Sequence, residues 1–189
     1  MPRGKAAVPR ANVRDRIVAA ADRLFYSEGV RAVGIDRVLA EADAAKASLY
    51  AHFGCKDELI AVYLERRAAE ARARIEAFVA DTPPAQRALR FFDWVVEWTE
   101  SRDFCGCPMQ HVVSEFSDSQ HPARVAAAAQ REWLHARFLE WSRAAKVKDH
   151  EATAGALMVL FDGAVAASEQ DGPQRARDAR WTARLLLSR

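Results

Sequence analysis

Leu49-Tyr50-Ala51-His52-Phe53-Gly54-Cys55-Lys56-Asp57-Glu58-Leu59 reads as the end of one helix, a short break, and the start of a long second helix. Leu49 and Phe53 are four apart, so they point together and pack inward. Tyr50 and His52 are two apart and diverge by about 200° around the helix, which sends them to different places on an outer surface. Working back along the chain, Ile17, Ala20, Ala21, Leu24 and Phe25 mark one face of an earlier helix that Ser27-Glu28-Gly29 ends. Ile35 to Ala42 supply a second, short helix. Three helices in this order and spacing make a helix-turn-helix.

Residues 12 to 59 resemble the N-terminal DNA-binding domain of the TetR/AcrR family of one-component bacterial repressors. The resemblance implies that the third helix enters the major groove while groups beside it grip phosphates. Tyr50, His52 and Lys56 are the expected phosphate ligands, with Lys56 in the first turn of a helix, where free N–H groups and charge both favour an anion. Base reading falls to the start of the third helix, at Ala45, Lys46, Ala47 and Ser48, with Ala44 just before it. Lys46 is the one long donor there, and guanine O6 or N7 is its natural target.

The chain departs from the family pattern at several of these places. Val33 and Gly34 stand where a capping Thr is usual, so the second helix lacks that cap. Asp43 replaces a common turn Gly, and Asp tolerates the left-handed conformation required. Ala45 and Ala47 remove hydroxyl or glycine features that often occur there. The operator therefore does not follow by analogy.

Composition agrees with this reading without deciding it. The chain has 189 residues and a formal net charge of +2, which does not by itself advertise nucleic acid. Its distribution is more informative: Arg3, Lys5, Arg10, Arg14 and Arg16 face only Asp15 within the first sixteen positions, an arm suited to phosphates or the minor groove. No apolar run approaches the roughly 20 residues of a membrane helix, and no signal-peptide core is present, so a cytoplasmic protein is expected. Three cysteines do not suggest a secreted disulfide framework.

An N-terminal arm and DNA-binding domain over residues 1–55, followed by an effector-binding and dimerisation domain over residues 56–189, is the expected organisation. A long helix from Lys56 to about Val79 stops at Asp81-Thr82-Pro83-Pro84. Leu89, Phe92, Val95, Val96 and Thr99 then form one stripe, and a break at Asp103 to Pro108 leads to a short helix through Glu115. Further helices run from Pro122 to about Ala145, Asp149 to Glu169 and Pro173 to Leu187. With no β-like alternation, the fold class is all-α with about nine helices.

Leu157, Leu160, Phe161 and Ala164, together with Trp181 and Leu185, mark the last two helices as the dimer-forming pair, with Gly155, Ala156, Gly163, Ala166 and Ala167 allowing close approach. The resemblance implies a four-helix bundle across a two-fold axis, and hence a homodimer on double-stranded, palindromic operator DNA. Trp94, Trp98, Phe104, Met109, Trp133 and Phe161 offer lining for a small, largely apolar or aromatic effector, with His111, Glu115 and Asp162 as orienting polar groups. Aromatic stripes also serve as ordinary core.

Cys105-Gly106-Cys107 admits a thiol-sensing or soft-metal alternative with His111, although no fourth ligand lies nearby in sequence. Buried structural cysteines are the other reading, and no resident metal or cofactor is expected. No nucleophile triad, phosphate loop, nucleotide fingerprint or HExxH helix is present, which argues against an enzyme. The expected function is a ligand-responsive DNA-binding regulator, a repressor by resemblance. A helical protein-interaction module without DNA binding is the competing class, and it leaves Lys46, Tyr50, His52 and Lys56 without a shared purpose.

Overall fold

The computed structural model describes residues 12–188, and the chain divides after Tyr63 into two compact units. Nine α-helices and one 3-10 turn account for the regular structure among the described residues. The first unit holds α1 (Val13–Glu28), α2 (Ile35–Ala42), α3 (Lys46–Phe53) and the opening turns of α4 (Lys56–Val79). The second holds the rest of α4, the 3-10 turn Pro84–Gln86, α5 (Arg87–Thr99), α6 (Pro108–Glu115), α7 (Pro122–Ala144), α8 (His150–Asp171) and α9 (Gln174–Leu187). The division thus falls inside α4, whereas the sequence reading placed a boundary at its first residue.

In the first unit, Asn12 caps α1 by accepting the Asp15 N–H at 2.8 Å, as a side-chain oxygen at an N-cap does. The face of Ile17, Val18, Ala20, Ala21, Leu24 and Phe25 is buried, and the helix ends at Gly29, whose φ of 88° continues the chain without a Cβ penalty. Gly34 begins α2 with no side-chain cap, in keeping with the expected loss at Val33 and Gly34. Val33 is instead fully buried, so this position contributes core packing. Asp43 ends α2 in the left-handed region at φ 47°. Leu49 and Phe53 are buried, and Phe25 meets Tyr63 edge-on with ring centroids 5.6 Å apart.

The core of the second unit is a ring cluster. Phe91 is fully buried at its centre, with its ring 5.0 Å from Phe138, 5.5 Å from both Phe92 and Phe161, and 6.1 Å from Trp141. Edge-to-face pairs dominate, as the ring quadrupoles favour. The stripe expected for α5 is corrected here: Ala88, Phe91, Phe92, Val95 and Thr99 are buried, while Leu89 and Val96 are half-buried against the cluster. Advancing by three or four residues from Ala88 reaches Phe91 and Phe92 together, so the inward stripe is centred one residue away from the position expected.

By length and composition α8 could cross a membrane, with a mean hydropathy of 1.2. Its inward face of Ala154, Leu157, Met158, Phe161, Ala164, Val165 and Ser168 is buried in protein, and its outward side carries Val159, Gly163 and Ala166, which also read as apolar. Both faces raise the average, although only one of them packs against the core.

Candidate nucleic-acid interface

Every residue assigned to base reading or phosphate gripping lies on the first unit. Ala45 is the N-cap of α3, which begins with no side-chain cap, so no side chain covers its first N–H groups. Ala45, Lys46, Ala47, Tyr50 and His52 are exposed, and Ser48 is half-buried. Tyr50 is 48% exposed, unusual for an aromatic residue whose neighbours Leu49 and Phe53 are buried. The helix therefore has an inner edge of two apolar side chains and an outer surface of small residues, one ammonium, one phenol and one imidazole.

The supporting contacts hold that surface in place. His52 packs edge-on to Phe53 at 6.1 Å between ring centres, and the Arg14 guanidinium lies over the ring of the same residue, 5.5 Å from its centre. Lys56, at the first position of α4, is half-buried with its ammonium 5.9 Å from the Phe25 ring centre. Lys46 pairs with Asp36 of α2 at 3.4 Å, a partner that sequence spacing did not suggest.

Arg16 has a different role from the one its position in a basic run implied. Its Nε donates to the Ala42 carbonyl at 2.9 Å and its second guanidinium nitrogen donates to the Asp43 carbonyl at 2.6 Å. These carbonyls sit at the end of α2, where orphan acceptors and the negative end of the helix dipole both attract a cation. Arg16 thus fixes the turn between α2 and α3, and Arg14 likewise belongs to α1. Both leave the expected basic arm, whose remaining members Arg3, Lys5 and Arg10 lie outside the described residues.

In the second unit, the expected effector residues form connected layers. Trp94 stacks on Trp98 at 5.3 Å, and Phe104 meets Trp98 edge-on at 5.3 Å. Trp133 lies under the Arg72 guanidinium at 5.5 Å, and Met109 is half-buried against the core. Phe161 is buried within the ring cluster. Asp162 receives Arg131 at 2.7 Å and the Gln110 amide at 3.2 Å, while His111 contacts Glu169 at 3.1 Å. Glu115 is half-buried at the end of α6, and the His111–Glu169 contact joins α6 to α8. An open groove of about 590 Å³ lies elsewhere, lined by Arg90, Asp93, Val96, Glu97, Arg177, Arg180 and Trp181, and contains none of the residues expected to touch an effector.

The docking stripe expected on α8 is also corrected. Leu157, Phe161 and Ala164 are buried in the protomer's own core, because α8 is apolar on both sides and periodicity does not tell the inner side from the outer. Leu160 is half-buried beside that core. The outward side carries Gly155, Val159 and Gly163, with open space beyond both glycines. On α9, Trp181 is 62% exposed and Leu185 40% exposed.

Cys105 is half-buried, Cys107 is buried, and no disulfide joins them. Burial pushes the Cys107 thiol from its ordinary 9.0 up to about 11, so the thiolate needed for redox attack or soft-metal binding is suppressed near neutrality. Among the described residues no group of three or more His, Cys, Asp or Glu side chains is arranged to hold a metal. The intervening Gly106 has φ 82°, and a Cβ there would lie 2.6 Å from His111 Nε2. The Cys-Gly-Cys segment is a tight backbone passage past the His111–Glu169 pair, which is what its glycine serves.

Residues 17–63 match the family model of the bacterial regulatory proteins, tetR family. Among curated proteins, the HTH-type transcriptional regulator LmrA of Bacillus subtilis is 31% identical over 124 residues, 64% of this chain and 66% of LmrA. The HTH-type transcriptional activator FasR of Mycolicibacterium smegmatis is 29% identical over 93 residues, 47% of this chain and 42% of FasR. The chain therefore aligns with less than two thirds of either curated relative. Coverage is fuller among solved structures: a TetR-family transcriptional regulator from Streptomyces coelicolor superposes with a TM-score of 0.88 at 32% identity, over 93% of this chain and 94% of the other. A putative TetR transcriptional regulator from Streptomyces avermitilis gives 0.86 at 30% identity, over 94% and 97%.

Proposed function

The chain belongs to the TetR family of transcriptional regulators, and from that premise we propose that it is a homodimeric repressor which a small, largely apolar or aromatic effector releases from a palindromic operator. The observation that carries the DNA-binding part is the division of α3, with Leu49 and Phe53 buried while Ala45, Lys46, Ala47, Tyr50 and His52 face outward. A bland helical surface would not combine an exposed phenol with an uncapped helix start flanked by cations. Lys46 and Ser48 read bases, and Tyr50, His52 and Lys56 hold phosphates. Such a head contacts few bases, so a second copy about one helical turn of DNA away, ~34 Å, supplies the rest of the specificity.

The docking face proposed for that copy is the outward side of α8 at Gly155, Val159, Leu160 and Gly163, with Trp181 and Leu185 of α9. The effector reading rests on the half-buried Trp94, Trp98, Phe104, Met109 and Trp133, which a modest rearrangement would open to an aromatic guest. His111, Glu115 and Asp162 supply its polar contacts. A ligand that prefers the DNA-released conformation shifts the equilibrium by its differential affinity; a 100-fold preference supplies about 2.7 kcal/mol.

The test is binding of the purified chain to the DNA flanking its own gene, titrated with salt and compared with Lys46→Ala and Tyr50→Ala. Affinity should fall as salt rises, with Tyr50→Ala weakening all duplexes and Lys46→Ala losing discrimination. A folded dimer that binds no duplex in a salt-dependent way, on this DNA or in a random pool, would overturn the reading.

A further inference from the structure

Two exposed side chains of opposite charge meet at the front of the DNA-binding unit. Lys46, the first residue of α3, and Asp36, the second of α2, approach within 3.4 Å while remaining 60% and 85% exposed. A pair this exposed contributes little to stability, because solvent screens it and two side chains must be ordered to form it. Asp36 gains some support from the positive end of α2, but that requires no contact with Lys46. The contact puts the carboxylate on the same surface as the ammonium assigned to base reading. On a surface that meets a polyanion, a carboxylate weakens binding to every sequence unless it meets a donor. The donors in the major groove are the amino groups of cytosine and adenine, and Asp accepts from cytosine N4.

Resting on the DNA-binding role proposed above, we propose that Asp36 is a specificity-determining residue which accepts a hydrogen bond from cytosine N4 while Lys46 donates to guanine O6 or N7 within the same base-pair step. Charged groups 3.4 Å apart span no more than one step of the duplex, whose rise per strand is about 3.4 Å. Lys46 keeps Asp36 from repelling the phosphates, and Asp36 holds the flexible lysine stem over the groove. The two together read a guanine and a cytosine in adjacent stacked pairs, where Lys46 alone would specify only the first of those pairs. Sequences lacking a cytosine at that point leave the carboxylate without a donor and are rejected.

The experiment is selection from a randomised duplex pool with the full chain, Asp36→Ala, Asp36→Asn and Lys46→Ala, followed by affinities on the selected sites and on one unrelated duplex. Wild type should select a cytosine at a fixed place in each half-site. Asp36→Ala should lose about tenfold or more of its discrimination there, keep the other positions, and bind the unrelated duplex more tightly because an acid has left the surface. Asp36→Asn should move the preference from cytosine towards adenine, whose N6 and N7 suit an amide. Helical content and melting temperature of each variant establish that it is folded. Undiminished cytosine preference in folded Asp36→Ala overturns the proposal, and so does an equal loss on all sequences. If wild type binds no duplex while folded, the DNA-binding role itself falls and this inference with it. If Tyr50→Ala weakens every duplex while Asp36→Ala changes no preference, only the present inference falls.

Discussion

Replacing Arg16 with Ala tests whether this residue builds the helix-turn-helix or touches DNA. Its guanidinium makes two hydrogen bonds to carbonyls at the end of α2, at 2.9 and 2.6 Å. A charged donor gives more than the usual 1 kcal/mol or so per bond, partial exposure reduces that gain, and the dipole of α2 adds about 0.3–1 kcal/mol. The expected loss is about 2–3 kcal/mol, borne by a small unit with little margin. Urea or thermal unfolding followed by circular dichroism should show an early transition, lowered by roughly 10 °C or more. Arg16→Lys should recover about half, since a single ammonium does not reproduce the fork that spans two carbonyls. A residue acting only on phosphate would behave differently: Arg16→Ala would lower DNA affinity and its salt slope while leaving unfolding unchanged. A stability loss below about 0.5 kcal/mol, the range of ordinary surface substitutions, refutes the capping role.

Other outcomes follow from the second unit. Gly106→Ala places a Cβ 2.6 Å from His111 Nε2 at a φ of 82°, so thermal unfolding should show a loss of about 1–3 kcal/mol; an unchanged melting point would show that the passage relaxes freely. Cys107 is protonated when folded and its thiol is pushed up to about 11 from 9.0. Because the unfolded chain releases that proton first, its contribution is complete below about pH 9 and is lost between 9 and 11, an effect of order 2–3 kcal/mol. The pH dependence of unfolding for wild type minus that for Cys107→Ala isolates the effect, and parallel curves would count against it. In native protein, a thiol reagent should modify the exposed Cys55 well before Cys107. Trp181→Glu should shift the sedimenting species from dimer towards monomer; an unaltered dimer removes α9 from the interface.

The helices were legible in the sequence wherever apolar spacing and stop signals agreed. Ile35–Ala42 and Lys56–Val79 have the ends that their turn residues imply, and the inner pair Leu49 and Phe53 followed from spacing alone. On α8 spacing was a weaker guide. Along its middle, α8 is apolar towards the core and carries Gly155, Val159 and Gly163 on its outer side, so spacing does not separate a partner surface from the protomer's interior, which Leu157 and Phe161 fill. Phe91 is not legible from spacing because its neighbour Phe92 satisfies the same stripe, and only three-dimensional packing turns both rings inward. Charges were the least legible. Nothing local in sequence tells Arg16, which binds two carbonyls, from a lysine or arginine that waits for phosphate, and nothing near Lys46 announces Asp36 as its partner. Such pairings depend on how α1, α2 and α3 cross, a property of the folded unit.

The turn between α2 and α3 closes on Asp43, a left-handed residue whose side chain is exposed. What Arg16 takes from this position is the main-chain oxygen, which every amino acid supplies. The two ends of the contact are therefore under unequal constraint: position 16 needs a forked cation, while position 43 needs only a residue that tolerates positive φ, with Asn and Gly as ready substitutes. Exchanging Asp43 for either would remove an exposed negative charge from the α2–α3 turn without disturbing it, so in the proposed complex general attraction to DNA would change at this site while the geometry of the head stays fixed. Affinity and architecture are thereby placed under separate residues, one free to vary and the other held.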